Sequence, residues 1–320
     1  MTDAAEIERL RPTAMQMRPV RMDRVFDDPD AVIRLIERRA PYLNAAEFHD
    51  MPDTLGGPYT QPRYVARLDD ECLLQNVNWI QTARDCYSAR IIQPYKCILN
   101  INGPMAAGMI HVDLPVYRGF TQDDAPLWLL MTMTYSRLFQ DWMVPIASGL
   151  AWFYRGTGGA FVHWPDGVDA PPHREEPPMW NSGLMSDNEY MWHAVGATGT
   201  ESERAALKRG LKHSDRLHHA AGGHWEISDG ERVAARLAPE QVRVSLLWKA
   251  YAFFDEDHLA SFRKPEMNLT IDRIIDIYRA DLAGRGVAIP PSRSVFDDPD
   301  WRETLEATYR SPFQDKTIEI

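Results

Sequence analysis

Cysteine is scarce in this chain of 320 residues: only Cys72, Cys86 and Cys97 occur, and no two of them form a CxxC motif. A sparse, odd-numbered set of cysteines argues against a disulfide scaffold and is typical of a reducing cytosol. The first residues, MTDAAE, lack the basic and apolar regions of a signal peptide. The sequence therefore predicts a cytoplasmic protein without structural disulfides.

Long hydrophobic runs and clusters of basic residues are also missing. The two most apolar stretches, 125–135 and 142–154, are too short to span a bilayer. Asp and Glu (46) outnumber Lys and Arg (35), which gives a formal net charge of −11. A protein without a basic surface is not expected to bind the phosphates of nucleic acid. These absences predict a soluble protein whose partner is a small molecule, with no nucleic-acid or membrane partner.

Hydrophobic periodicity separates helical flanks from a β-rich middle. Helices are expected over 31–39, 69–90, 270–284 and 301–309. Short strands with intervening turns fill 91–254, a spacing that favours a barrel or jelly roll over βαβ units. Periodicity leaves open whether 127–134 is a strand or a buried helix.

One compact domain in three parts is the expected organisation. It comprises an N-terminal helical flank (1–90), a β-rich catalytic core (91–254) and a C-terminal helical segment (255–320). The core carries a polar stretch at 199–222, which is predicted to be a surface helix or a mobile insert. The C-terminal helices are a candidate contact for a homodimer.

The segment MIHVDLPVY, at 109–117, carries the strongest chemical signal. Its residues alternate as in a strand, where side chains two positions apart lie on one face, about 7 Å from each other. His111 and Asp113 are therefore expected to point into a common space. Together with a second imidazole they would form the set of two His and one carboxylate that suits non-haem Fe(II) and leaves positions open for O2.

His193 is the best candidate for that second imidazole, because it lies in an apolar segment, YMWHAVG, after a predicted turn. His163 is the main rival. His173 lies in a Pro-rich loop and is expected to face solvent. The remaining cluster comprises His218, His219 and His224. It lies in a polar segment that is predicted to be a mobile loop, and a loose metal site is the weaker interpretation.

Arg243 and Ser245 share one face of the predicted strand 242–254. A buried, unpaired cation is costly, so an inward Arg requires an anionic partner. A guanidinium beside a hydroxyl is well suited to a carboxylate, although pairing with a structural Asp or Glu is the alternative. Arg118 is a second candidate for a carboxylate of cosubstrate or substrate, and otherwise a surface charge. Asn100, in the strand before the His-x-Asp segment, is a candidate hydrogen-bond donor to either ligand.

In these residues the chain resembles the Fe(II)/2-oxoglutarate-dependent oxygenases. That family has a double-stranded β-helix, a His-x-Asp…His triad and a late Arg-x-Ser pair that binds the far carboxylate of 2-oxoglutarate. The residues that match in type and order, within 91–254, are His111, Asp113, His193, Arg243 and Ser245. The interval of 50 residues between His193 and Arg243 is longer than is usual in the family, and the insert at 199–222 accounts for it.

The resemblance implies a mainly β fold with flanking helices around a double-stranded β-helix (a jelly roll, cupin-like), with Fe(II), 2-oxoglutarate and O2 as cofactor and cosubstrates. The implied activity is hydroxylation, or another oxidation of a C–H bond, of a small-molecule metabolite, with conversion of 2-oxoglutarate to succinate. Halogenation is disfavoured, because halogenases of this type lack the carboxylate ligand, which is present here as Asp113. Two alternatives stay open: a cupin-like metalloenzyme that does not use 2-oxoglutarate, and a non-catalytic β-barrel that binds a small molecule.

Overall fold

A computed structural model describes residues 17–48, 61–121, 124–207, 210–291, 294 and 298–313. The strands are β1 (Val20–Met22), β2 (Leu43–Asn44), β3 (Arg63–Arg67), β4 (Ile91–Asn102), β5 (Ile146–Tyr154), β6 (Phe161–Trp164), β7 (His173–Glu175), β8 (Met179–Ser186), β9 (Trp192–Val195), β10 (Arg216–His219), β11 (Trp225–Ser228), β12 (Val233–Leu237) and β13 (Arg243–Phe253). The helices are α1 (Pro29–Arg39), α2 (Ala45–Phe48), α3 (Glu71–Leu74), α4 (Val77–Tyr87), α5 (Leu127–Ser136), α6 (Glu201–Leu207), α7 (Glu256–Phe262), α8 (Ile271–Gly284) and α9 (Pro299–Thr308).

Two antiparallel sheets form the centre of the fold. The large sheet has the order β1-β8-β5-β13-β4-β3-β2, and the small sheet has the order β7-β6-β9. A bridge between His111 and His193 adds one more segment beside β9. The chain crosses repeatedly between the sheets on its way from β4 to β13, and aromatic side chains of β5 and β6 meet between them, with the rings of Trp152 and Phe161 5.5 Å apart. This topology confirms the predicted double-stranded β-helix.

The central strand, β13, pairs with β4 on one side and with β5 on the other. On its outer face Trp248 stacks on Trp79 of α4, with ring centroids 5.6 Å apart. Gly149 of β5 leaves space for this pair, because a Cβ there would lie 2.7 Å from the Trp79 ring. Such an aromatic pair stabilises the fold by about 0.5–1.5 kcal/mol beyond its area burial. The outer face of the large sheet is therefore a packed core, and its inner face is left for the polar side chains of β13.

The prediction of one continuous helix at 69–90 is wrong, because the segment forms two helices, α3 and α4, with a break between them. Asn76 lies at the break and caps α4: its side-chain oxygen accepts a hydrogen bond from the backbone amide of Trp79 at 2.9 Å. Asn is favoured at such caps because it satisfies an amide that has no partner within the helix. Its side-chain amide also donates to the carbonyl oxygen of Val25 at 3.2 Å.

The predicted strand around 109–116 is also wrong. Its backbone forms isolated bridges only, one at His111 and two at Tyr117. Pro115 has no amide hydrogen with which to continue a ladder. The two side chains of the His-x-Asp motif thus owe their placement to individual backbone contacts rather than to a regular strand.

The ambiguous segment at 127–134 is helical and forms most of α5. Its buried residues are Leu129, Leu130, Thr132 and Met133, and further apolar side chains, Leu127 and Met131, lie on the opposite side of the helix. A helix that is apolar on most sides shows no amphipathic period, so the sequence could not distinguish it from a strand. It packs in one hydrophobic cluster with residues of α8 and α9, which correspond to the helices predicted at 270–284 and 301–309.

The insert at 199–222 contains both a helix and a strand. The helix, α6, agrees with the prediction, but β10 joins β11 and β12 in a three-stranded antiparallel sheet. Leu217 of β10 exchanges backbone hydrogen bonds with Tyr42 at 2.9 and 3.1 Å. The second half of this segment is therefore an ordered part of the fold, and the prediction of a surface helix or mobile insert is wrong there.

The proposed division of the chain at residues 90 and 254 stays a prediction. Three short strands from the N-terminal part, β1, β2 and β3, join the large sheet. Among the helices that the structure describes, none combines the length and apolar character needed to cross a membrane.

Candidate metal centre

Three side chains from distant parts of the sequence converge between the sheets. Asp113 Oδ1 lies 3.6 Å from His193 Nε2 and 3.9 Å from His111 Nε2. Within the described residues, this is the one group of three or more His, Cys, Asp or Glu side chains whose ligand atoms lie within 4.8 Å of one another. The ligands of a metal with bonds of about 2 Å lie only slightly closer together than this, so small side-chain movements would bring all three onto one ion.

Backbone hydrogen bonds set the positions of these residues. The amide of His111 donates to the carbonyl of His193 at 3.0 Å, and the amide of His193 donates to the carbonyl of His111 at 2.8 Å. Asp113 is held by a bond from its amide to the carbonyl of Asn188 at 2.8 Å, in the turn before β9. The edge of the small sheet therefore brings together residues that the sequence separates widely.

Both imidazoles are oriented for ligation through Nε2. Nδ1 of His111 lies 2.9 Å from the carbonyl oxygen of Met109, and Nδ1 of His193 lies 2.9 Å from that of Met191. A carbonyl oxygen can only accept, so Nδ1 carries the proton in each ring and Nε2 presents a lone pair. Metal-binding histidines are held in this way by a hydrogen bond from the other ring nitrogen. The donor set present thus fits a divalent metal ion.

Charge around Asp113 keeps it ionised. Burial would raise its pKa, but the ammonium group of Lys249, 2.8 Å from Oδ2, holds the pKa well below its usual range. Lys249 also forms an ion pair with Glu189. Burial raises the pKa of Glu189 by more than the neighbouring ammonium group of Lys249 lowers it. Asp113 is therefore the carboxylate of this pair that offers a full negative charge to a cation.

His111 is expected to be neutral at physiological pH. Although 46% of its side chain is accessible to solvent, the protein atoms around the ring and then the neighbouring His193 lower its pKa to about 4, against a smaller opposing effect of Asp113. A neutral imidazole is the form that binds a metal.

The rival ligand, His163, lies next to the triad but is not a member of it. It is directly opposite His193 in the pairing of β6 with β9, and opposite His173 in the pairing of β6 with β7. Its side chain is buried, and neither ring nitrogen has a hydrogen-bond partner in the described structure. Nε2 lies 3.9 Å from Glu175 Oε1. Burial, followed by the effects of His173 and His193, lowers the pKa of His163 to about 4.

The other candidate histidines lie away from the triad; His173 is exposed as predicted, whereas the polar loop predicted around His218 and His219 is wrong, because both lie on a strand. His173 is exposed, and its Nε2 lies 3.0 Å from Asp166 Oδ2. His218 and His219 lie on β10, where Nε2 of His219 approaches Glu37 Oε1 at 3.4 Å.

The predicted carboxylate-binding pair lies deep between the sheets. Arg243 is only 1% exposed; its Nε donates to the carbonyl of Gly159 at 2.8 Å, and its Nη1 to Ser245 Oγ at 3.4 Å. Its Nη2 has no hydrogen-bond partner in the described part of the chain. Burial lowers the pKa of Arg243 to about 10, with a smaller opposing effect of Tyr154. Asn100 is directly opposite Ser245 in the pairing of β4 with β13, so the two side chains are neighbours.

Arg118 has a different environment. It is 4% exposed, its guanidinium lies over the ring of Phe262 at 4.6 Å from the centroid, and Nη1 donates to the carbonyl of Ser261 at 3.3 Å. These contacts are with α7. The alternative interpretation of Arg118 as a surface charge is therefore wrong, and its role in binding a carboxylate stays a prediction.

Three charged residues at the site were not predicted: Lys249, Glu189 and Arg63. Lys249 was detectable, because it lies on the same face of β13 as Arg243 by the two-residue period of a strand. Arg63 Nη2 donates to Asn100 Oδ1 at 3.2 Å. It retains accessible surface but is surrounded by protein; this partial burial lowers its pKa, against a smaller effect of Asp113. Nothing in the sequence around Arg63 connects it with the metal-binding motif.

No protein-family model matches this chain, and no curated protein matches it. Among solved structures, a 2OG-Fe(II) oxygenase family oxidoreductase from Burkholderia pseudomallei is 14% identical, with a TM-score of 0.40, over 78% of this chain and 89% of that one. A prolyl-4-hydroxylase from Pseudomonas putida is 11% identical, with a TM-score of 0.37, over 77% of this chain and 98% of that one. HygX from Streptomyces hygroscopicus, with nickel, 2-oxoglutarate and hygromycin B bound, is 8% identical, with a TM-score of 0.40, over 79% and 88% of the two chains.

The chain is thus similar in fold to these solved structures.

Proposed function

We propose that this protein is a non-haem Fe(II)/2-oxoglutarate-dependent oxygenase that hydroxylates, or otherwise oxidises, a C–H bond of a small-molecule metabolite. The observation that carries the proposal is the convergence of His111 Nε2, His193 Nε2 and Asp113 Oδ1, with both imidazoles fixed through Nδ1. Two imidazoles and one carboxylate are the ligand set of iron sites that keep coordination positions open for O2.

The case for 2-oxoglutarate depends on Arg243. Its guanidinium is buried and forms no ion pair with a carboxylate among the described residues, while Nη2 lacks any hydrogen-bond partner. A buried cation without a counter-ion is destabilising until an anion binds to it. Ser245 Oγ lies 3.4 Å from Nη1 of the guanidinium, so a carboxylate bound here would receive hydrogen bonds from both residues. Asn100, which is opposite Ser245 on β4, is a further candidate donor.

Different residues of the chain would bind the metal ion, bind 2-oxoglutarate and exclude water. His111, His193 and Asp113 would hold the metal, and Lys249 would keep Oδ2 of Asp113 occupied, so that only Oδ1 is offered. Arg243 and Ser245 would hold the far carboxylate of 2-oxoglutarate. The rings of Trp152 and Phe161, the latter with its centroid 5.5 Å from that of His193, would exclude water from the space between. When bound, Fe(II) with 2-oxoglutarate and O2 supplies an oxidative decarboxylation to succinate and CO2 that is coupled to oxidation of the substrate.

The proposal is tested by an anaerobic titration of the Fe(II)-loaded protein with 2-oxoglutarate, followed through the visible charge-transfer absorption of the chelate. We expect saturable binding, and we expect Arg243→Gln to raise the dissociation constant about 10- to 100-fold, because a charge-assisted hydrogen bond contributes about 1.5–3 kcal/mol. Arg302→Gln, an exposed arginine of α9 that pairs with Glu306, is the matched control. Arg243→Lys keeps the charge but not the forked geometry, and its dissociation constant for 2-oxoglutarate is expected to lie between those of Arg243→Gln and the control.

The alternative of a cupin-like metalloenzyme is favoured by one observation: Nε and Nη1 of Arg243 already have partners within the chain. A structural arginine of this kind would leave 2-oxoglutarate binding unchanged on substitution. Metal binding without any absorption change on adding 2-oxoglutarate would overturn the oxygenase proposal in favour of this alternative. A protein that binds no Fe(II) at all would overturn both and leave a non-catalytic binding module.

A further inference from the structure

A second cavity lies outside the space between the sheets. Its volume is about 620 Å³, within the range of small-molecule sites. Val112, Trp164 and Trp192 line it, and each is the chain neighbour of a histidine that points between the sheets. Because neighbouring side chains along an extended segment point to opposite faces, the cavity lies on the outer face of the small sheet.

The walls of the cavity are largely apolar and aromatic. Tyr135 of α5 stacks on Trp192, with ring centroids 5.7 Å apart, and both rings line the space. Further lining comes from Met133 and Met143 on one side and from Val168, in the turn after β6, on the other. Such a surface suits the hydrocarbon or aromatic body of a ligand.

Polar groups without partners accompany these apolar walls. Tyr190 and Trp192 are 6% and 4% exposed, and in the described structure neither Tyr190 Oη nor Trp192 Nε1 has a hydrogen-bond partner. Buried polar groups are ordinarily satisfied, and those that are not require an explanation. A ligand with acceptor atoms would supply the missing hydrogen bonds.

Two arginines give the cavity a positive side. Arg137, at the end of α5, and Arg310, after α9, both line it, and neither forms an ion pair with a carboxylate in the described residues. The Nε of Arg310 donates only to the carbonyl of Ala307, at 3.2 Å. Two carboxylates also line the cavity: Glu189, which is paired with Lys249, and Asp169. The guanidinium groups of Arg137 and Arg310 favour an anion at this side of the cavity.

We propose that this cavity is a second ligand site, which binds a carboxylate with an apolar body, such as a medium-chain fatty acid or an aryl carboxylate. The apolar part of the ligand packs against Trp164, Trp192 and Tyr135, while its carboxylate lies at Arg137 and Arg310. The cavity and the candidate metal centre lie on opposite faces of the small sheet and meet at Glu189, which lines the cavity and pairs with Lys249. The proposed ligand site does not depend on the oxygenase proposal, because the probe and its competitor are tested without metal.

The test uses the full-length protein in EDTA, with the aryl sulfonate 8-anilinonaphthalene-1-sulfonate as a fluorescent probe and decanoate as the competitor. We expect saturable binding of one probe per chain, displaced by decanoate at least tenfold more effectively than by decanol, which has the same chain but no charge. Arg137→Gln with Arg310→Gln is expected to weaken probe binding at least fivefold. Arg34→Gln with Arg302→Gln, on the exposed faces of α1 and α9, makes the same change in net charge and is the control.

A blocking variant separates this cavity from any other apolar surface. Val168→Trp adds a large side chain at the lining and is expected to abolish saturable probe binding, while circular dichroism shows that the protein remains folded. Probe binding that does not saturate, that is equally weakened by both pairs of arginine substitutions, or that survives in a folded Val168→Trp variant would overturn the proposal.

Discussion

The ammonium group of Lys249 lies 2.8 Å from Oδ2 of Asp113, while Oδ1 of the same carboxylate faces the imidazoles of His111 and His193. The two oxygen atoms of Asp113 therefore have different partners. Lys249 is 5% exposed and also pairs with Glu189, which is 4% exposed. One buried cation thus stabilises two buried carboxylates, and it limits the metal-binding one to a single oxygen.

Replacing Lys249 tests how far the fold depends on this ion pair. Removal of one partner from a buried pair leaves an uncompensated charge and costs about 3–5 kcal/mol. We expect Lys249→Met to lower the free energy of unfolding by this amount, measured by urea denaturation in EDTA at neutral pH. Glu189→Gln is the matched variant: Lys249 keeps its bond to Asp113, so the loss is expected to be smaller. A Lys249→Met protein as stable as the wild type would contradict this account of the pair.

Metal binding should depend on the carboxylate of Asp113. A metal that binds only the native state stabilises it, by about 2.7 kcal/mol at a hundredfold excess over the dissociation constant. We expect Mn(II), added anaerobically to the metal-free protein, to raise the melting temperature of the wild type, and to have no effect on Asp113→Asn. Asp166→Asn, which removes a carboxylate from the exposed pair with His173, should respond as the wild type does. An equal shift in both variants would show that the ion binds elsewhere.

The candidate metal-binding motif was visible in the sequence because two of its three residues lie in one short segment. His111 and Asp113 are close in sequence, and the apolar context of His193 predicted an inward side chain. The regular strand predicted at 109–116 is nevertheless absent from the structure of this segment. In the structure, the contacts of His111 with His193 and of Asp113 with Asn188 align the residues instead. Contacts between residues so distant in sequence cannot be derived from the pattern of a single segment.

The residues that escaped prediction are those whose role depends on tertiary contacts. Lys249 lies within β13, on the face of the strand that also carries Arg243, but its partners belong to other segments. Only the return of the chain at Asp113 and Glu189 makes it a buried cation. The apolar residues on all sides of α5 similarly removed the periodicity that would have identified it as a helix. The fold class was predictable from short strands separated by turns, whereas the partners of individual charges were not.

Arg63 should weaken metal binding by electrostatic repulsion. Its positive charge is close enough to interact with Asp113 and His111, and it repels a divalent cation bound between them. Arg63→Gln is expected to lower the dissociation constant for Mn(II) about two- to fivefold, because interaction through a partly solvated medium is of the order of 1 kcal/mol. Isothermal titration at two ionic strengths measures this, and the difference should shrink in high salt. Arg67→Gln, on the same strand but paired with Asp69, is the control, and an equal change in both would exclude a specific effect of Arg63.

His163 should make the metal-free protein sensitive to mild acid. Its pKa is lowered from 6.5 to about 4 in the folded state, so the folded protein favours the neutral ring. A base with a lowered pKa contributes stability above its unfolded pKa and loses that contribution as the pH falls from 6.5 towards 4. The shift corresponds to about 3 kcal/mol at most.

We expect His163→Gln to show a smaller decrease in the free energy of unfolding than the wild type between pH 7 and pH 4, roughly the interval between the two pKa values. Urea denaturation in EDTA at several pH values gives this comparison, with His224→Gln, a substitution of an exposed histidine, as the control. Parallel curves for the wild type and His163→Gln would mean that the buried imidazole does not resist protonation.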